Sequence, residues 1–169
     1  MKTNQITGQV EQLVVFQLAK ETYGVDISSV REIIRMQAIT DVPKTPDFVE
    51  GVINLRGKVI PVIDLHKRFD LPAIEETQHT RIMVVEVENV TVGMIVDSVS
   101  EVLRIPTDSI DPPPPVISGV DAAYLRGVGK LDNRLIILLD LAQILQKKEI
   151  DVIEEIAAAE DDEDETDGR

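Results

Sequence analysis

Few residues in this chain could do covalent or acid–base chemistry. His66 and His79 are the only histidines among 169 residues and cysteine is absent, which excludes thiolate zinc sites, disulfides and cysteine nucleophiles. Neither histidine has a metal-ligand partner at short spacing, and there is no G-x-S-x-G elbow. Each is therefore expected on the surface or on a helix flank, and no metal or other cofactor is expected. The stretch GVINLRGKV (51–59) approaches a phosphate-cradling loop but fails twice: five residues rather than four separate Gly51 from Gly57-Lys58, and Val59 stands where a metal-binding hydroxyl is required. GVG at 127–129 lacks the third glycine and the strand-to-helix setting of a dinucleotide site. Asp64 and Asp140 could be imagined as paired catalytic carboxylates. Each instead opens an apolar-periodic segment, DLHKRF and DLAQILQKK, which is the position of a helix N-cap. Catalysis is not expected, and the functional residues should be those of a surface.

The elements that would carry such a surface follow from an internal repeat. A shift of 69 residues lays LVVFQL (13–18) on IMVVEV (82–87), Gly24 on Gly93 and SSVREIIR (28–35) on DSVSEVLR (97–104). A shift of 76 lays FVEGVINLRGKVIPVIDL (48–65) on YLRGVGKLDNRLIILLDL (124–141). The extra residues fall in the connection containing DPPPP (111–115), a stiff segment that continues neither a helix nor a central strand. Each copy, about 11–76 and 77–148, offers β-rich runs, glycines at bulges or close approaches, and a final hairpin before a capped helix. SSVREIIR and DSVSEVLR read as a helical turn with Ser28 and Asp97 as N-caps. So many short strands in so small a unit imply a mainly β fold, with two tandem five-stranded barrels, short helices and a shared core.

Within this plan Arg56 stands out. Arg56-Gly57 aligns with Asp132-Asn133, and a two-residue hairpin turn needs positive φ, which Gly and Asn tolerate. Arginine gives such a turn no backbone advantage, so Arg56 is either a solvated tip or a partner contact. Glu32 and Glu101 recur between apolar residues and carry the same two readings, solvated face or partner contact.

Net charge is −14, of which residues 149–169 carry −10. AAAEDDEDETDGR has no apolar periodicity and reads as a solvated, disordered acidic tail after a helical extension. Nucleic-acid binding needs a basic groove with aromatic stacking platforms. Five aromatic residues and an acidic balance do not supply them. No apolar run reaches the length of a membrane span and the N-terminus has no signal-peptide character, so a cytoplasmic protein with no direct membrane insertion is expected.

The blocks LVVFQL, YGVDISSVREII, TPDFVEGVINLRGKVIPVIDL, VGMIVDSVSEVLRI and YLRGVGKLDNRLIILLDL, in this order over residues 11–148, resemble the CheW-like family of chemotaxis coupling proteins. Order and spacing are those of a stand-alone member without a receiver domain. The resemblance implies two SH3-like barrel subdomains and a non-enzymatic adaptor. It implies coupling of transmembrane chemoreceptors to the histidine kinase CheA, whose regulatory domain shares the fold and pairs with a barrel end. It places the cytoplasmic tip of the receptor in the groove between subdomains, against Val30, Glu32, Ile33, Gly51, Arg56, Gly57, Val99 and Val102. Members carry a cationic and an aromatic residue for kinase and array contacts where this chain has Asp111 and Val116, so that contact must use other chemistry here. Alternatives are a coupling protein of another chemosensory pathway, such as surface motility, and a small-ligand-binding barrel.

Overall fold

The two-residue turns at Arg56-Gly57 and Asp132-Asn133 form as expected, with all four residues at positive φ between 50° and 85°. They join β4 (Val49–Leu55) to β5 (Lys58–Asp64) and β12 (Leu125–Leu131) to β13 (Arg134–Leu139). The structure is a computed structural model that describes residues 9–117, 119–144 and 155; the acidic tail lies outside the described residues. The other strands are β1 (Val10–Leu18), β2 (Glu21–Asp26), β3 (Val30–Arg35), β6 (Arg81–Val87), β7 (Val90–Val96), β8 (Ser98–Pro106) and the two-residue β9 (Ile110–Asp111), β10 (Val116–Ile117) and β11 (Val120–Asp121). Two one-turn helices follow the final hairpins, α1 (Leu65–Arg68) and α2 (Leu141–Ile144). Asp64 and Asp140 cap them as expected, their carboxylates accepting the backbone N–H groups of His66 and Ala142 at 2.9 and 3.1 Å.

The strands form a five-stranded sheet in the order β3-β6-β7-β5-β4 and a six-stranded sheet in the order β8-β1-β2-β13-β12-β9, with a small β10-β11 pair. Under the repeat the first order maps onto the first five strands of the second. Hairpin β6–β7, from the second copy, therefore completes the barrel of the first, and hairpin β1–β2 completes that of the second. The division near residue 76 follows the sequence repeat and not the sheets. The exchange is enforced by short crossovers: Ile27–Ser29 join β2 to β3, and Asp97 alone joins β7 to β8. A link of one to three residues spans at most about 10 Å, enough to step between packed sheets but not to travel back around a barrel.

Residues 28–35 and 97–104 are not helical turns. In the first copy Ile27–Ser29 makes a 3₁₀ turn, capped by Asp26, whose carboxylate accepts from the Ser28 N–H and hydroxyl at 2.8 and 2.7 Å. In the second copy β8 begins directly after Asp97. The apolar spacing that reads as helical comes from a β-bulge. Val30 pairs with Val85 and Glu32 with Val84, leaving Arg31 as the extra residue; Ser100 is the extra residue at the matching place in β8. A bulge shifts the side-chain alternation by one. Val30 and Val99 consequently pack against the core shared by the two sheets, whereas Ile34 and Leu103 pack inside their own barrels.

The shared core is built from Val14, Phe16, Leu18, Tyr23, Ile63, Met83, Met94, Ile137 and their neighbours. Leu13, Val15, Ile105, Ile136 and Leu138 fill one barrel and Ile53, Ile60, Val62, Ile82 and Val84 the other. Central strands thus bury both faces, which explains the unbroken apolar run LVVF. At the seam, the Arg68 guanidinium lies 4.6 Å from the Phe48 ring centre and 5.2 Å from that of Tyr124, residues equivalent under the repeat. Its Nε donates to the Ile144 carbonyl at 2.6 Å.

Candidate functional site

Arg56 projects from the β4–β5 turn with its side chain 68% exposed and pairs with the Glu32 carboxylate of β3. The turn itself is fixed by the Gly57 N–H, which donates to Asn54 Oδ1 at 2.8 Å. The guanidinium pKa rises above its ordinary value because Glu32 accepts its hydrogen bond and adds an opposite charge. Arg56, Glu32 and Leu55 line a surface cleft of about 440 Å³ with Arg31 and Glu86, themselves an ion pair. One residue beyond Glu32, Ile33 is 40% exposed, a large apolar side chain left facing solvent. Ile33 lies on the other face of β3 from Glu32; the cleft itself sets a fork of hydrogen-bond donors beside the aliphatic side chains of Leu55, Ile60 and Val84, suited to a carboxylate or carbonyl presented by a protein partner.

The second copy repeats this pattern with altered parts. Val102, the equivalent of Ile33, is 53% exposed on β8. Glu101, the equivalent of Glu32, pairs with Arg134 at 2.9 Å. Here the arginine follows the turn rather than occupying it, two residues beyond the equivalent of Arg56. The sequence repeat marked Glu101 as recurrent, but barrel closure was needed to reveal its partner.

Barrel closure also reassigns Gly51. This residue, expected to face a partner, is buried at φ 145°, and a Cβ there would stand 2.1 Å from the Thr40 carbonyl oxygen. Thr40 and Val52 exchange both backbone hydrogen bonds, at 2.8 and 2.9 Å, closing the five-stranded barrel. Gly51 admits the close approach of the Thr40 backbone. Gly127 plays the same part in the other barrel, where a Cβ would stand 2.7 Å from the Asp111 carbonyl oxygen.

The five-stranded sheet thus carries Val30, Glu32 and Ile33 on β3 and Arg56 and Gly57 at the β4–β5 turn, with Gly51 buried on β4; Glu32 pairs with Val84 on the barrel face of β3, whereas Val30 and Ile33 pair with Val85 and Met83 on the face toward the shared core. Val99 and Val102 lie on β8 of the other sheet. Asp111 sits on β9 with its side chain 52% exposed and ion-paired to Lys130 at 2.8 Å. Val116 belongs to β10, where its backbone pairs with Asp121.

His79 is exposed, as expected, but His66 is not a surface residue: it is 4% exposed on α1, between Asp64 and Asp97. Its partner Asp97 comes from the far end of β7, so only the strand exchange could have revealed this burial. Among the described residues no three His, Asp or Glu side chains converge as metal ligands do, and no helix is long and apolar enough to cross a membrane.

A family profile described as CheW-like domain matches residues 12–149. The chain is 38% identical over 143 residues to the chemotaxis protein CheW of Treponema pallidum (strain Nichols), a match covering 82% of this chain and 84% of that protein. To the chemotaxis protein CheW of Bacillus subtilis (strain 168) it is 34% identical over 138 residues, covering 82% and 88%. Among solved structures, the scaffolding protein TtCheW from Thermoanaerobacter tengcongensis matches with a TM-score of 0.77 at 44% identity, over 83% of this chain and 91% of that one.

Proposed function

The chain belongs to the CheW-like domain family, and from that premise we propose that it is a non-enzymatic adaptor of a chemosensory pathway. It couples the cytoplasmic tips of chemoreceptors to the regulatory domain of the histidine kinase CheA, working in the cytoplasm at receptor arrays. The receptor tip is held by Arg56 and Gly57 of the β4–β5 turn, by Val30, Glu32 and Ile33 of β3, and by Val99 and Val102 of β8. Kinase and array contacts use a barrel end that includes Asp111 and Val116. With an aspartate already paired to Lys130 and an aliphatic residue there, those contacts rest on polar and apolar packing rather than on a cation and an aromatic ring.

The observation that carries this reading is the exposed Arg56 guanidinium, held against Glu32 at the rim of the cleft. Nothing in the turn requires an arginine, which occupies a positive-φ position that Asn or Gly would fill at less backbone cost. Beyond its ion pair with Glu32, the exposed side chain is available to a partner outside the barrel. The test is to titrate the Arg56→Ala protein separately against a receptor signalling hairpin and the CheA regulatory domain. Receptor affinity should fall about tenfold to a hundredfold, the loss of a charge-assisted contact, while kinase affinity holds. Lysine should restore receptor binding only in part, since an ammonium lacks the planar fork. Equal losses toward both partners, or a loss toward neither, would refute a receptor contact at this turn.

A further inference from the structure

The His66 imidazole lies where the two barrels exchange strands, and both of its nitrogens face carboxylates. Nδ1 is 3.1 Å from Asp64 Oδ1, and Nε2 is 3.1 Å from Asp97 Oδ1. Asp64 ends β5 in the five-stranded sheet. Asp97 is the one-residue link from that sheet to β8 of the six-stranded sheet, and it is itself engaged there: its Oδ2 accepts the Ala19 N–H of the β1–β2 turn at 2.8 Å, and its N–H donates to the Gln17 carbonyl at 3.0 Å. Carboxylates only accept, and a neutral imidazole has one N–H. A neutral His66 would set a nitrogen lone pair against a carboxylate oxygen at hydrogen-bond distance, whereas the imidazolium donates to both. On the same helix Lys67 pairs with Glu50 of β4 at 2.5 Å and also feels the Asp64 and Asp47 charges. Arg68 of the same helix is turned toward Ile144.

The equivalent place at the other crossover has no such group. Ala142 stands for His66 and Ser28 for Asp97, and a cleft of about 410 Å³ lined by Asp140, Ala142 and Glu88 opens there. One seam holds a histidine between two carboxylates and the other does not.

We propose that protonated His66 is a clasp between the two barrels, pinning the β7–β8 crossover to α1, and that this clasp opens as the pH rises. The hydrogen bond to Asp64, with the Asp97 charge behind it, raises the His66 pKa above 6.5 against the opposing effect of burial. Burial alone would raise the Asp64 carboxyl, but the hydrogen bonds and charge of His66 hold it below its ordinary 3.8. The clasp is complete between these limits. Its contribution is full up to pH 6.5, the ordinary value, and is lost as pH rises through the higher folded-state value.

The test follows the His66 ring protons by NMR in the full chain. His66 should titrate above the ordinary histidine value of 6.5. Asp97→Asn supplies a donor to Nε2 while its oxygen still accepts from Ala19, so it should accept a neutral imidazole. In that protein the His66 titration should move down toward the ordinary value of 6.5, and the urea midpoint, which in the wild type should fall as pH rises through the raised His66 value, should stay level. His66 titrating at or below 6.5 overturns the proposal from the wild type alone, whether or not the variant folds. Parallel midpoint curves for the wild type and Asp97→Asn overturn it equally.

Discussion

Replacing Gly51 by alanine measures what barrel closure is worth and separates it from partner contact. The new methyl carbon would stand 2.1 Å from the Thr40 carbonyl oxygen and 2.8 Å from its carbon, both backbone atoms. Relieving the overlap requires the 36–40 segment to retreat by about 1 Å, since ordinary contact begins near 3–3.5 Å. That retreat breaks the paired Thr40–Val52 hydrogen bonds. Two such bonds contribute roughly 1 kcal/mol each, and holding a residue with a Cβ at φ 145° costs about 1–3 kcal/mol. The sum, about 3–5 kcal/mol, is a large part of the roughly 5–15 kcal/mol that keeps a domain folded. Gly57→Ala is the control. Its Cβ meets nothing within 4 Å and only its φ of 85° is strained, so it should lose about 1 kcal/mol. Equilibrium urea unfolding of both proteins gives the two midpoints. A Gly51→Ala midpoint at or above that of Gly57→Ala would refute the closure argument, and Gly51 would then return to the partner surface. If the large loss is seen, weakened partner binding in Gly51→Ala is a folding effect.

Three further outcomes follow from the same contacts. A fragment of residues 1–76 should show no cooperative thermal transition, because hairpin β6–β7, which lies between β3 and β5, is missing and β1–β2 lacks both β8 and β13; mixed with residues 77–148 it should regain one, and a sharp monomeric transition of 1–76 alone would contradict the exchange. Arg134→Ala should change stability by only about 0.2–1 kcal/mol in a denaturation series, since the Arg134 and Glu101 side chains are 45% and 40% exposed. Tyr23→Phe removes a buried hydroxyl that has no hydrogen-bond partner among the described residues, so stability at pH 7 should hold or rise by up to about 1 kcal/mol. Burial, helped by the Glu21 charge, raises the Tyr23 phenol to about 12 from an ordinary 10.0. Between those values the unfolded chain ionises while the folded chain keeps its proton, so wild-type stability should fall from pH 10 to 12 more steeply than that of the variant.

What the sequence by itself determined was local. The turn at Arg56-Gly57 and its counterpart at Asp132-Asn133 were legible because positive φ is a property of the residues at the turn. The caps at Asp64 and Asp140 were legible because a carboxylate reaches an N–H only two residues away. The repeat itself was visible as text, and with it the mainly β fold and the shared core. Tertiary structure decided which copy each hairpin joins. With aligned strands in both copies, a barrel closed by its own hairpin and one closed by the other copy's contain matching pairs, so pairing preference cannot choose between them. The short crossovers choose, and the rest of the site follows from that choice. They carry Val30–Arg35 and Ser98–Pro106 from the shared core into the barrels through a bulge that imitates a helical spacing, set Glu32 against Arg56, and bring Asp97 to a histidine that its neighbours in sequence left looking like a surface residue. Each of those contacts joins residues 24 or more positions apart, and a chain read locally holds no information on distances that only closure of the sheets creates.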